Sequence, residues 1–176
     1  MEITDEIFRT FYEEEKIIDD DVYWKLSGDA YRTNHLKIIN KTIVDYDVTL
    51  VGKVDENNYF VFVIIYRYKD KELVRYDKTI HSPNFIDKCS KQQLLEPHKH
   101  KFKKGCKKDL EARIISKTEI DRDDVNKAFS QFLDECHIRL EGDYIPIIIP
   151  YLSNKQTKIF QYDNAIFNHI NRGEKK

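Results

Sequence analysis

The stretch YFVFVIIYRY, residues 59–68, is the longest apolar run in the chain, and LVRYD follows it at residues 73–77. Side chains of a strand point alternately to its two faces, so this run would present large apolar groups on both. We therefore expect residues 59–68 to be an interior strand with both faces buried. The short polar turn at residues 69–72 would return the chain antiparallel, as a hairpin.

The second strand of this hairpin carries ionisable groups on only one of its faces. Val74 and Tyr76 would point to one side of the sheet. Arg75 and Asp77 would point to the other, together with His81 if the strand stays regular that far.

A further short strand is expected at HKHKF, residues 98–102. Its alternation would place the histidines on one face and the intervening lysines on the opposite face. If the loop at residues 82–97 folds this strand back beside the preceding one, three imidazoles, a guanidinium and a carboxylate converge. The predicted catalytic residues are Arg75, Asp77, His81, His98 and His100.

A lysine-rich segment overlaps this strand and continues beyond it. The formal net charge is −1, from 30 basic and 31 acidic residues, so the chain has no global positive field and any contact with a polyanion must be local. The predicted nucleic-acid-binding residues are Lys99, Lys101, Lys103, Lys104, Lys107 and Lys108. The alternative is a solvated basic loop or an edge strand protected by charge.

Length and cysteine usage limit the organisation and the compartment. The 176 residues suffice for a core domain, 1–141, with an extension at 142–176 packed against it. The three cysteines are odd in number and show no Cys-x-x-Cys spacing, and no apolar stretch of the secretory kind opens the sequence. We expect reduced thiols, a cytoplasmic location and no membrane partner.

The periodicity along the chain predicts the α+β class. Apolar residues recur at helical spacing over residues 3–11 and 125–136, and a final helix is expected at 163–173. The expected architecture is a mainly antiparallel sheet of five to seven strands, with one helix before it and one or two after it. The other predicted extended segments are 22–26, 31–39, 43–54, 110–115 and 145–150.

Several kinds of chemistry fit the histidine region. Histidine titrates near neutrality, so His81 and His98 could act as base and acid in cleaving RNA through its own 2′-hydroxyl, a reaction that needs no metal. Arg75 would hold the phosphate and Asp77 would orient an imidazole.

Three other interpretations stay open. His98 and His100 could bind a metal completed by His81, Asp77 or Cys89, although no second closely spaced ligand pair supports this and we expect neither metal nor cofactor. The region could also be a binding surface without catalysis, or it could be purely structural.

The order of these motifs along the chain resembles that of known protein families. The sequence Arg75-Tyr76-Asp77, then His81, then Pro97-His98-Lys99-His100, and later the helix end FLDECHI at 132–138, resembles a family of small uncharacterised proteins of bacteria, phages and mobile elements. The core spacing is also similar to that of TumE-type toxins of toxin–antitoxin modules. The resemblance covers roughly residues 44–138.

The function that we predict combines the residues with this resemblance. It is a toxin-like protein of a mobile element or phage that acts on RNA, through metal-independent endoribonuclease chemistry. The alternative is a non-enzymatic phage or mobile-element protein that binds and inhibits a host defence factor. The expected partners are RNA or a host protein, a cognate antitoxin, and a second copy in a homodimer.

Overall fold

A computed structural model of the chain describes residues 2–78, 86, 87 and 89–149. These residues form the two helices α1 (Asp5–Glu13) and α2 (Val125–Glu135). The strands are β1 (Lys16–Ile18), β2 (Trp24–Ser27), β3 (Ala30–Thr33), β4 (Leu36–Lys37), β5 (Val48–Asp55), β6 (Phe60–Tyr66), β7 (Lys71–Asp77), β8 (His98–Phe102), β9 (Leu110–Ile114) and β10 (Ile138–Leu140).

The main sheet has eight strands, and each of its pairings is antiparallel. Its order is β2-β3-β5-β6-β7-β8-β9, and β4 also pairs with β5. The predicted α+β class and the mainly antiparallel sheet are confirmed, with one strand more than expected. Separately, β1 and β10 form a parallel pair of three residues each, too short to leave a periodic signal in the sequence.

Strand β6 lies in the middle of the sheet, as its apolar sequence predicts, but its two faces differ. Phe60, Phe62, Ile64 and Tyr66 are fully buried. Val61, Val63 and Ile65 on the other face are only partly buried. The prediction of an interior strand is confirmed, and the prediction of full burial on both faces is correct for one face only.

The difference arises because both helices lie on the same side of the sheet. Phe62 makes ring contacts with Phe129 and Phe132 of α2, with centroids 5.3 and 5.5 Å apart. Tyr12 of α1 donates a hydrogen bond to Glu135 of α2. No helix among the described residues covers the opposite face, which we call the open face.

Both helices begin where the sequence predicts. The Thr4 side chain accepts a hydrogen bond from the Ile7 amide and caps α1. Asp124 accepts from the amides of Asn126 and Lys127 and caps α2 in the same way. The predicted strand at 43–54 begins later, at Val48, because residues 43–47 are irregular, with a bend at 45 and 46.

The described part of the C-terminal extension packs against α2. The Tyr144 ring stacks on Phe129 with centroids 5.5 Å apart, and Asn126 exchanges hydrogen bonds with the Ile147 backbone. A Cβ added at Gly142 would collide with the backbone of Asp20, so glycine allows the close crossing that starts this segment. The helix predicted at 163–173 lies outside the described residues.

The prediction of three reduced cysteines is wrong for two of them. Cys89 and Cys106 form a disulfide with Cα atoms 5.8 Å apart, while Cys136 is a free thiol in the core. The pairing depends on the loop before β8 meeting the turn between β8 and β9, a proximity that spacing in the sequence does not reveal. In the part of the chain described here, no helix is both long and apolar enough to cross a membrane.

Replacing Phe62 with alanine should lower the free energy of unfolding by about 3–5 kcal/mol, because the substitution would leave a cavity between the sheet and α2. The smaller truncation Val63→Ala, on the open face, should cost about 1 kcal/mol. Urea unfolding of both variants measures the difference. A loss at Phe62 no larger than the loss at Val63 would contradict the burial of Phe62 under α2.

Candidate functional site

The pairing of β7 with β8 brings four of the predicted catalytic residues together. Arg75 lies opposite His100, and Asp77 lies opposite His98. Because directly paired residues of neighbouring strands share a face, all four side chains belong to the open face. The structure thus places four of the five predicted residues on one face of two neighbouring strands. The fifth residue, His81, lies outside the described residues.

Four contacts involve the side chains of the cluster. Nη2 of Arg75 donates to Oδ2 of Asp77 at 2.6 Å, and Nη1 lies 3.7 Å from Oε1 of Glu72. The rings of His98 and His100 meet edge to face with centroids 4.9 Å apart. Nδ1 of His98 lies 3.0 Å from the Glu96 carbonyl, which can only accept, so Nδ1 carries the proton.

The four residues differ in their access to solvent. Asp77 and His98 are fully buried, whereas the Arg75 side chain is 33% exposed and His100 is partly exposed. A ligand arriving from solvent would therefore touch Arg75 and His100. Asp77 would act behind them by positioning the guanidinium, and His98 by packing against the second imidazole.

This arrangement changes the expected role of one histidine. The sequence suggested His98 as one of the two proton-transfer groups, and this residue is completely buried in the structure. Its strand neighbour His100 occupies the accessible position instead. Burial, reinforced by His98 and Arg75 nearby, lowers the pKa of His100 to about 4, so this imidazole is neutral at neutral pH.

The lysine-rich segment does not form one continuous basic surface. Lys99 is fully buried on the helix side of the sheet, where it pairs with Glu135. The ammonium group of Lys101 lies 3.9 Å from the centroid of the Tyr12 ring. These two lysines face away from the histidines, as the alternation predicts, and burial removes Lys99 from the predicted nucleic-acid contacts.

The remaining lysines of the segment lie in the turn between β8 and β9. They are solvent-exposed: Lys103, Lys104, Lys107 and Lys108. Lys104 lies 3.2 Å from a carboxylate oxygen of Glu2, and Lys103 lies 3.9 Å from one of Asp5. Only this part of the segment is available to a polyanion.

Metal binding receives no support from the geometry. Among the described residues, no group of three or more histidine, cysteine or acidic side chains could hold a metal ion. Cys89, one of the ligands considered, is engaged in the disulfide. Elemental analysis of the purified protein is the direct measurement.

Two acidic residues that sequence reasoning did not single out contribute to the electrostatics of the region. Glu72, in the predicted turn, approaches Arg75, and Glu135, near the end of α2, neutralises Lys99. Glu72 and Arg75 are three positions apart in the sequence, and this spacing only weakly indicates that their side chains meet. Nothing in the sequence connected Glu135 with Lys99, because the two lie 36 residues apart.

Comparison with known proteins adds no further constraint. No protein-family model, no curated protein and no solved structure matches this chain. Functional inference therefore depends on the site itself.

Replacing Glu135 with alanine should destabilise the protein by about 3–5 kcal/mol at pH 7, because it leaves the buried Lys99 charge without its partner. Burial already lowers the pKa of Lys99 to about 8, so the loss should shrink above that pH, where the amine sheds its proton. Adding Lys99→Met should recover much of the loss. Denaturant unfolding at pH 7 and pH 9 tests this, with Glu141→Ala at an exposed ion pair as control.

Stability should also depend on pH through His100. Its pKa in the folded protein, about 4, lies below the ordinary 6.5, so the unfolded chain takes up this proton first as the pH falls. The resulting stabilisation, at most about 3 kcal/mol, is complete above the ordinary pKa and is lost as the pH falls toward the folded value. His100→Gln should flatten the dependence of the unfolding free energy on pH in this window. A slope unchanged in His100→Gln would contradict the assignment.

Proposed function

We propose that the protein is a toxin-like ribonuclease of a mobile element or phage that cleaves RNA without a metal ion. The observation that supports the proposal most directly is the pairing of Arg75 with His100 across β7 and β8, since it sets an accessible cation beside an accessible neutral imidazole. A guanidinium binds phosphate oxygens in a bidentate manner, and a neutral imidazole accepts a proton.

The reaction would be transfer of the phosphoryl group to the adjacent 2′-hydroxyl. His100 would accept the 2′-hydroxyl proton while the 2′-oxygen forms a bond to phosphorus. Arg75 would neutralise the charge that develops on the non-bridging oxygens, and the bond from phosphorus to the 5′-oxygen would break. The leaving oxygen needs a proton. On sequence grounds we propose that His81 supplies it.

The buried residues would support this chemistry from behind the accessible pair. Asp77 fixes the orientation of the Arg75 guanidinium through the contact of 2.6 Å. His98 lies against His100 and limits the positions that its ring can take. Such support keeps reacting groups in place before the substrate arrives.

The proposal also includes the compartment in which the protein acts and the partner that controls it. A toxin of this kind would act in a cytoplasm, where RNA is available, and would be held inactive by a cognate antitoxin. Because a cytoplasm keeps most cysteines reduced, the proposed activity must not depend on the disulfide between Cys89 and Cys106.

A second candidate is a non-enzymatic protein that inhibits a host factor. The burial of Asp77 and His98 favours it, since an ion pair and two packed histidines can serve the fold alone. The two candidates differ in whether His100 is needed for activity and in whether RNA is consumed.

The deciding experiment compares the wild type with His100→Ala and Arg75→Gln, by growth on induction in bacteria and by integrity of RNA incubated with purified protein. Removing a proton-transfer group should slow cleavage on the order of 10²- to 10⁴-fold, and removing Arg75 should slow it by a similar factor. His35→Ala is the control, because it removes an exposed histidine outside the cluster.

The pH profile gives an independent readout. With His100 as the base, the acidic limb of kcat/KM should fall near pH 4, where this group takes up its proton. Intact RNA and normal growth with the wild type would remove the ribonuclease proposal and leave the inhibitor in its place.

A further inference from the structure

Three cations from different strands lie in a single line on the open face. Lys25 of β2 pairs with Arg32 of β3, and Arg32 pairs with Lys53 of β5. All three are solvent-exposed. We call them the basic row. They are 7 and 21 positions apart in the sequence, so only the strand pairing brings them into line.

The basic row has no acidic partner in the part of the chain that the structure describes. None of its members forms an ion pair there, although acidic residues outnumber basic ones in the whole chain. Lys25 contacts a neutral group instead: its ammonium nitrogen lies 4.7 Å from the centroid of the Tyr23 ring. The positive charge of the row is therefore open to an external anion.

The fold alone gives no reason for this arrangement. Like charges directly opposite each other on neighbouring strands destabilise a sheet. Lysine on an edge strand discourages unwanted strand pairing, and this would explain Lys25 on β2. It does not explain Arg32 and Lys53, because β3 and β5 are interior strands.

The same line of paired residues leads into the candidate site. Lys53 pairs with Val61, Val61 with Asp77, and Asp77 with His98. From Lys25 to His98 the line crosses five strand spacings, about 24 Å at roughly 4.8 Å each. Arg75 and His100 form the adjacent cross-strand pair.

The surface between the basic row and the site is apolar. Val61 and Val63 are partly buried, and Tyr59, which immediately precedes β6, is 49% exposed. Single-stranded nucleic acid binds to surfaces that combine cations for the backbone with apolar or aromatic groups for the bases. A duplex, which keeps its bases stacked inside, would make no use of the apolar part.

We propose that the basic row binds the backbone of a single-stranded RNA, whose bases lie over Val61, Val63 and Tyr59 and whose scissile phosphate reaches Arg75. This inference rests on the proposed ribonuclease function and extends it, by assigning single-stranded RNA as the substrate class and a path across the sheet as its route to the site.

The test measures binding separately from cleavage, in the full-length chain carrying His100→Ala. The probe is a fluorescently labelled single-stranded RNA of about 12 nucleotides, a length within the usual range for such surfaces. The triple variant Lys25→Gln, Arg32→Gln, Lys53→Gln should bind at least about tenfold more weakly at low salt. The slope of log affinity against log salt should become shallower by about 2, as expected for three lost phosphate contacts on a single strand.

A charge-matched control distinguishes this path from the lysine-rich turn. The variant Lys103→Gln, Lys107→Gln, Lys108→Gln removes the same charge from exposed positions between β8 and β9. Because this turn is also open to a polyanion, the variant should lose some affinity, but less affinity and less of the salt slope than the basic-row variant. If it loses as much affinity as the basic-row variant, or more, the proposed path is overturned.

Two competitors test the class of ligand. Unlabelled single-stranded RNA should displace the probe, whereas a duplex of the same length and polyglutamate should each do so at least about tenfold less well. Equal displacement by duplex RNA would overturn single-strand recognition. Equal displacement by polyglutamate would reassign the surface to acidic proteins.

Failure of this inference is distinguishable from failure of the ribonuclease proposal. Loss of cleavage in His100→Ala combined with undiminished binding in the basic-row variant would reject the path alone. The basic-row variant should also be no less stable than the wild type to urea, because it relieves repulsion between like charges. A clear loss of stability would instead give the row a structural role and count against the proposal.

Discussion

The register of β7 against its neighbours is the constraint on which both the core and the candidate site depend. Tyr76 packs against Phe62 on the helix side, and this contact sets Arg75 and Asp77 on the other face. Because side chains alternate with a period of two, a slip of one residue would bury the ion pair under α2 and expose the tyrosine. Apolar packing on one face therefore decides which polar groups meet on the opposite face.

The unequal cover of the two faces divides the charged residues into two classes. On the helix side, Lys99 is buried and forms an ion pair with Glu135, so its charge is neutralised within the protein. On the open face, the charges of Arg75 and of the basic row are both accessible to solvent, that of Arg75 only in part. Residues that look alike in the sequence thus have different roles. A buried charge loses its hydration and needs an opposite charge beside it, whereas an exposed charge stays hydrated and needs no partner.

The edge of the sheet next to the site is covered by the loop before β8. The Gln92 side chain accepts a hydrogen bond from the Ile114 amide of β9, and the disulfide joins Cys89 to the turn after β8. Burial opposes ionisation of Asp87 in this loop, but hydrogen bonds from Ser90 and Cys89 outweigh it and lower its pKa. A covered edge leaves fewer backbone groups open to another strand.

The sequence by itself determined the interior strand, the two helices and the antiparallel class. It also determined the alternation that puts Arg75 and Asp77 on one face of their strand and His98 and His100 on one face of theirs. Each of these follows from local periodicity, which neighbouring residues define. Only the tertiary structure decided which face the helices cover, that His98 is buried while His100 is accessible, and that Cys89 meets Cys106. The basic row also belongs to this second group, since Lys25, Arg32 and Lys53 become neighbours only when β2, β3 and β5 pair. Burial and proximity across strands depend on contacts between distant parts of the chain, and these leave no periodic signal in the sequence.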